Sequence, residues 1–448
     1  MKTRGVIAVA LVVLAGCGAS AAGSGLAGEL LWEGATAPIR AGAEVSVVRD
    51  LGGDGVSEVL IAGWGPRGPR DVLLLDGASG AELWRRRFGD GAVAEAVWVE
   101  RPGGSGVVVA HGGDLVVLDA GTGAVLAETR LRGPIGEITA GHLDGDGVPD
   151  IVYSAGSERN DVLAVLSGAD LSELWSDTAT PDDSRFGDGF SRIAVLDLDA
   201  DGSGEVVASE NMRSMIAFAG DGAPLWEREL EERTKYVPKG AVSGGPVLDD
   251  FLGGGLRQLA VGCMAGALVV LDPEDGSVLG RRVFGVDADR SRARRRRLPR
   301  FLQALLVDTG EPVNEILSVD LDDLPGRELV FGCSDGTVYA VSPVSGGVLW
   351  SFDAEGQVFD RPVPVDANGD GTTDILAWDD EAAYLIDGRN GDSLAGLPDG
   401  TEPSAAVVAD LDRDGTIELI ELRRDGRVRA FTTSVPCGRA PSAPGCGE

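Results

Sequence analysis

The apolar residues of this chain fall into short runs separated by small polar turns, not into helical stripes. Val72 to Trp84 reads as an apolar run, a turn built from Gly77, Ser79 and Gly80, and a second run that opens on Trp84; Val338 to Trp350 repeats the plan with Ser345, Gly346 and Gly347. That is the signature of two strands joined by a hairpin. A second kind of segment alternates Asp with other residues and runs into a short β-type stretch, as at Glu205 to Ala208 and Asp374 to Ala377. Together the two kinds predict a four-stranded antiparallel unit. Such units begin at positions 50, 98, 142, 197, 249, 320, 366 and 410, a period of roughly 45 residues that marks a repeat architecture. A lone sheet of this kind cannot bury both faces, so the units are expected to stack radially into an all-β, eight-bladed β-propeller. The eighth unit stops after its third strand, Arg427 to Thr432, while residues 29–34 carry the fourth-strand pattern of Trp84, Trp175, Trp226 and Trp350. Residues 29–34 are therefore expected to complete the last blade. Three other fourth strands have Leu279, Leu394 or Ala127 near the Trp position.

The Asp-rich segments carry the chemistry. Asp197, Asp199, Asp201 and Glu205, then Asp366, Asn368, Asp370 and Asp374, then Asp410, Asp412, Asp414 and Glu418 place oxygen side chains at positions 1, 3, 5 and 9, with Gly at position 6. This spacing wraps a hard cation in oxygen ligands, and calcium is the expected ion. An EF-hand is excluded, because position 12 holds Ala208, Ala377 and Glu421 and a strand follows where a helix is required. Weaker copies hold Asp50, Asp54 and Glu58 with Gly52 in the third slot; Asp144, Asp146 and Asp150 with His142 in the first; and Asp320, Asp322 and Glu328 with Leu324 in the fifth. The units at Trp98 to Gly106 and Asp249 to Arg257 align only by their strands, and no metal is expected there. A net charge of -33 and a pI near 4.3 imply self-repelling carboxylates that cations relieve, and they argue against nucleic acid as a partner.

On these residues the first half of each unit resembles the FG-GAP (VCBS) repeats of integrin α propellers and bacterial surface proteins. The second half is similar to the PQQ-like repeat of quinoprotein dehydrogenases. The resemblance implies a propeller with structural calcium; it leaves activity open, since propellers host many functions.

The start of the chain predicts export. Met1 to Arg4 form a basic region, Val6 to Val13 an apolar core, and Leu14, Ala15, Gly16 and Cys17 a small-residue cleavage site. With Cys17 directly after Gly16, residues 1–17 look like a bacterial lipoprotein signal that leaves Cys17 lipidated, the alternative being an ordinary secretion signal. Gly18 after the Cys points to the outer membrane if the cell is Gram-negative. Residues 18–28 then form a flexible linker, 29–435 the propeller and 436–448 a tail. The expected membrane contact is the lipid anchor alone. Cys437 and Cys446 bracket the tail, as a disulfide or as free thiols, while Cys263 and Cys333 read as buried thiols.

An insertion at 287–315 breaks the repeat. It carries Arg290, Arg292, Arg294 to Arg297 and Arg300, followed by Leu298, Phe301, Leu302, Leu305 and Leu306 at helical spacing. It is read as an inserted helix capping a blade, or as a docking element for an anionic partner or lipid head groups. The face it joins, opposite the Asp-rich loops, is the candidate ligand surface. With only His111 and His142, no nucleophile, zinc or phosphate-loop motif stands out. The expected role is a non-catalytic envelope binding or scaffolding module for a protein or glycan. The alternatives are a calcium-dependent polysaccharide lyase, with Lys235, Tyr236, Lys239 or His111 as base, and a quinoprotein-dehydrogenase-like enzyme.

Overall fold

The computed structural model describes residues 30–436 except 36–42, 49, 64–69, 90–92, 102, 157–161, 180–188, 212–213, 231–241, 265, 285–312, 323, 355, 359, 368–369, 380–381, 397–402, 414–415 and 424. Cys17, Asn368, Asp414, Cys437, Cys446, Lys235, Tyr236 and Lys239 lie outside the described residues, as does most of the 287–315 insertion. Its last residues, Val313 to Glu315, are not part of an insert: they open the strand Val313–Val319.

The described strands form eight four-stranded antiparallel sheets, seven of them consecutive in the chain. The eighth takes three strands from the C-terminal end and its outer strand, Leu30–Ala35, from the N-terminal end, where it pairs with Arg427–Pro436. Among the described residues there is no helix. Blades are numbered 1 to 8 from the strand Ala43–Val47 onward.

Why a ring forms is visible in the burial. Second strands such as Gln258–Cys263 and Glu328–Cys333 are buried at every position, so they need cover on both faces. One blade alone cannot provide it. The core accordingly divides into eight apolar clusters, each shared by two neighbouring blades, including one that joins Trp32 and Ile420 of blade 8 to Val59 and Leu73 of blade 1. Closure of the ring therefore buries apolar surface that a linear stack would leave wet. First strands of neighbouring blades approach one another, which places them at the axis.

Tryptophans of five outer strands lock their blades to the next. Trp32, Trp84, Trp175, Trp226 and Trp350 donate their indole N–H to the carbonyls of Gly77, Ala120, Gly220, Pro273 and Gly388 at 2.7–2.9 Å. Each ring covers a left-handed glycine of the following blade's turn (Gly80, Gly123, Gly222, Gly276, Gly391), where a Cβ would collide with the tryptophan. Cross-strand pairing corrects the sequence alignment of the remaining fourth strands. Gly280 and Ala395, not Leu279 and Leu394, stand at the Trp position beside Ala127.

Candidate metal loops

The loop between first and second strand follows one hydrogen-bonding plan in seven blades. Its ninth residue opens the second strand in five of them and lies within two residues of that strand's start in the other two, Glu58 and Glu418, and its side chain turns back to accept the N–H of the second residue. Glu58 accepts from Leu51 at 2.8 Å, Asp150 from Leu143 at 3.1 Å, Glu205 from Leu198 at 2.6 Å, Glu328 from Leu321 at 3.0 Å, Asp374 from Ala367 at 3.0 Å and Glu418 from Leu411 at 2.8 Å. The fifth-position carboxylates cap their own turn, Asp54 to Val56 N–H, Asp146 to Val148, Asp201 to Ser203 and Asp370 to Thr372, at 2.7–3.0 Å. Blade 2 departs from the plan: Arg101 pairs with Gly104 across a tight hairpin.

The seventh loop corrects the sequence alignment of blade 5. Its first residue is Asp250, not Asp249, and its ninth is Gln258, not Arg257: Gln258 Oε1 accepts from Phe251 at 2.9 Å and Leu252 at 3.1 Å. Asp250 in turn accepts from Gly254 and Gly255. A neutral amide thus folds the same loop. Moving the alignment by one residue, onto a Gln three residues after Gly255, would have revealed it in the sequence.

Charge is concentrated where the plan does not require it. In three loops the carboxylates at positions 1, 3 and 9 converge, their nearest oxygens within 4.8 Å of one another: Asp197, Asp199 and Glu205; Asp320, Asp322 and Glu328; Asp410, Asp412 and Glu418. Two of these are strict copies of the motif; the third has Leu324 at position 5, so that substitution does not prevent convergence. Among the described residues, Asp50, Asp54 and Glu58 do not gather in this way, nor do Asp144, Asp146 and Asp150. Asp50 is instead turned onto the N–H groups of Gly53 at 2.5 Å, Asp54 at 3.2 Å and Gly55 at 2.9 Å. In the remaining strict copy Asp366 is fully buried, accepts from Gly371 at 3.0 Å through Oδ2, and leaves Oδ1 without a hydrogen-bond partner among the described residues.

Electrostatics record the strain of collecting these acids. Burial, with the neighbouring aspartates adding to it, pushes the carboxyls of Glu205 and Glu328 above the ordinary range in spite of their backbone donors. Asp374 is pushed up to about 7, chiefly by burial. A cation at the oxygen cluster reverses that direction, because it favours the ionised form. The oxygen-only donor sets and the orphaned Asp366 Oδ1 fit a hard divalent ion. Arginine supplies part of the positive charge already: Arg257 of blade 5 reaches Asp197 at 3.6 Å and Arg389 reaches Asp370 at 3.5 Å.

Two families of sequence model match the chain. Residues 69–252 match the one described as outer membrane protein assembly factor BamB, a PQQ-type repeat, and residues 366–420 match the FG-GAP-like repeat. The chain is a propeller in which these two stretches match the two repeat types. Solved structures agree on the fold. Sqt1 of Saccharomyces cerevisiae superimposes with a TM-score of 0.62 at 14% identity, over 90% of this chain and 98% of that one. The V. cholerae biofilm matrix protein Bap1 gives 0.59 at 14% identity over 91% of both chains. BamB from Moraxella catarrhalis gives 0.55 at 16% identity, over 86% and 98%. No curated protein matches the chain in sequence.

Other residues singled out by sequence take structural places. The His111 ring packs on Phe88, 5.3 Å between centroids, with Nε2 3.4 Å from the Gly89 carbonyl. His142 sits in the first slot of its loop, and its backbone carbonyl accepts Gly204 N–H at 2.8 Å. Cys263 is buried and its thiol is pushed up to about 12 by that burial; Cys333 is buried too, and no disulfide joins them. Sequence reasoning missed a charged trio on the first strands of blades 3, 4 and 6, near the ends opposite the metal loops. Arg192 Nη1 meets Glu315 Oε1 at 2.6 Å, and Glu137 accepts Ile193 N–H at 3.1 Å. These strands carry β-bulges and Arg192 has φ of 52°, a local distortion that no hydrophobic pattern announces.

Proposed function

We propose that this protein is a calcium-stabilised, non-catalytic binding or scaffolding module of the cell envelope, presenting an eight-bladed surface to protein or glycan partners. The observation that carries the metal part is the convergence of three carboxylates in each of three loops, in a ring where Gln258 serves the same backbone hydrogen bond without charge. Acids beyond those needed for folding repel one another unless a cation joins them. Calcium would then pin the first turn of the blade, with Asp197, Asp199 and Glu205, Asp320, Asp322 and Glu328, and Asp410, Asp412 and Glu418 as its holders and Asp366 with Asp374 as a fourth set.

The envelope part is supported by the match of residues 69–252 to the BamB description and by the lipoprotein-like segment ending at Cys17. Metabolic labelling with an alkyne fatty acid tests the anchor: wild type takes up label and Cys17→Ser does not. The non-catalytic part is tested by incubating the chain with pyrroloquinoline quinone and an alcohol, and separately with pectic fragments. Neither dye reduction nor unsaturated-sugar absorbance is expected; either signal would replace this reading with an enzymatic one.

A further inference from the structure

One tryptophan socket in the ring keeps its frame and lacks its tryptophan. At the junction of blades 5 and 6, Gly280 stands at the Trp position and Gly346, with φ of 65°, stands where the other sockets have their left-handed glycine. A Cβ at either would meet nothing within 4 Å. Between them lies a cavity of about 520 Å³ lined by Leu252, Leu268, Val270, Leu279, Phe284 and Pro343, among others. The frame is otherwise intact: Arg282 donates to the Gly346 carbonyl as Arg228 donates to that of Gly276. Pro343 occupies the place of Pro273, the residue whose carbonyl accepts Trp226, and among the described residues no side chain donates to it.

The junction of blades 2 and 3 shows what a compensated loss looks like. There Ala127 stands at the Trp position, but Leu171 replaces the glycine at φ of 62° and is buried, and Arg101 takes the Gly168 carbonyl at 3.0 Å. Among the described residues nothing comparable fills the socket between blades 5 and 6. The rim around it has also changed character. Leu252 holds position 3 of its loop, where the sister loops hold Asp, Asn or, once, Gly52, and Leu324 holds position 5 of its own, where they hold Asp or, once, Gly254; with Leu256 and Val344 they are 45–75% exposed. The two loops touch, since Arg327 N–H donates to the Asp250 carbonyl at 3.0 Å. An acidic rim thus becomes apolar beside a preformed pocket, a combination that marks an interaction site.

We propose that this socket binds a tryptophan side chain presented by an apolar segment of a partner polypeptide, its indole N–H donating to the Pro343 carbonyl as the ring's own tryptophans do at the sister sockets. The undescribed segment 285–312 contains no Trp, which favours an occupant from another chain. The site goes beyond the calcium reading and does not depend on it.

Fluorescence anisotropy of the full chain with a dye-labelled pentapeptide, tryptophan between two leucines, tests the assignment. Binding roughly tenfold or more tighter than that of the alanine control peptide is expected. It should be lost in Gly280→Trp, which fills the socket from within and raises the melting temperature, and weakened in Leu252→Asp with the melt unchanged. Equal binding of the two peptides, or undiminished binding by both variants, would overturn the proposal. So would a dimer that Gly280→Trp dissociates, which would make a second copy the occupant, or binding that emerges only after removal of 285–312.

Discussion

Blades 4 and 5 are neighbours with the same four-stranded plan, and they differ in both devices that define the ring. Blade 4 gathers Asp197, Asp199 and Glu205 at its first turn and docks Trp226 into the next blade; blade 5 has Asp250, Leu252 and Gln258 at the equivalent turn and Gly280 in place of the tryptophan. Both loops nevertheless hold their backbone the same way, through position 9 accepting the N–H of position 2. The difference teaches that folding of the turn requires an oxygen acceptor, and that the surplus carboxylates answer to something else. It also shows that the ring tolerates a missing tryptophan at the junction where the apolar rim gathers, as it does where Ala127 and Ala395 stand at that position.

The largest effect should come from erasing the difference at the tryptophan. Trp226→Ala removes a buried indole and its hydrogen bond to Pro273, and urea denaturation should show a loss of roughly 3–5 kcal/mol. A loss below about 1 kcal/mol would mean that the sockets do not hold the blades together. Next comes the loop. Glu205→Gln copies blade 5 into blade 4: in EDTA its stability should stay within about 1 kcal/mol of wild type, because the amide oxygen keeps the Leu198 hydrogen bond, while part of the stabilisation by added calcium disappears. Equal calcium responses in the two proteins would remove Glu205 from any metal site.

The reverse change is smaller. Gln258→Glu should lower stability by about 1 kcal/mol at pH 7 without creating a calcium response, since Leu252 and Gly254 offer the new carboxylate no companions. A control away from the loops sharpens the comparison further. Burial raises the Glu137 carboxyl above its ordinary value of 4.5, outweighing the Ile193 N–H and Arg192 that favour its ionised form. The folded state therefore holds that proton more tightly than the unfolded one. Its contribution is complete below pH 4.5 and is lost as pH rises through the folded value. Glu137→Gln should flatten that segment of the stability profile equally in calcium and in EDTA; a calcium-dependent difference would tie the trio to the metal loops.

Much of this was legible in the sequence because repetition multiplies weak signals. One Asp-rich turn says little, but Asp197, Asp366 and Asp410 open the same nine-residue pattern at equivalent places, and the N-terminal Leu30–Ala35 closes the ring as its Trp32 pattern implies. What escaped notice has physical causes. Gln258 hid because the motif stands out by its charge while the turn needs only an oxygen. Gly280 hid because glycine at an aromatic position looks like a poor alignment, and only the pairing with Val270 fixes its place. The Arg192 and Glu315 pair joins residues far apart in the chain through bulged strands, so no local period reveals it.

The central claim is that surplus acids at the first turns hold divalent cations that stabilise the ring. Thermal melts of the chelated protein titrated with calcium test it most directly. The melting temperature should climb with calcium and level off as the sites fill, with magnesium much less effective; superimposable melts in EDTA and in excess calcium would contradict it.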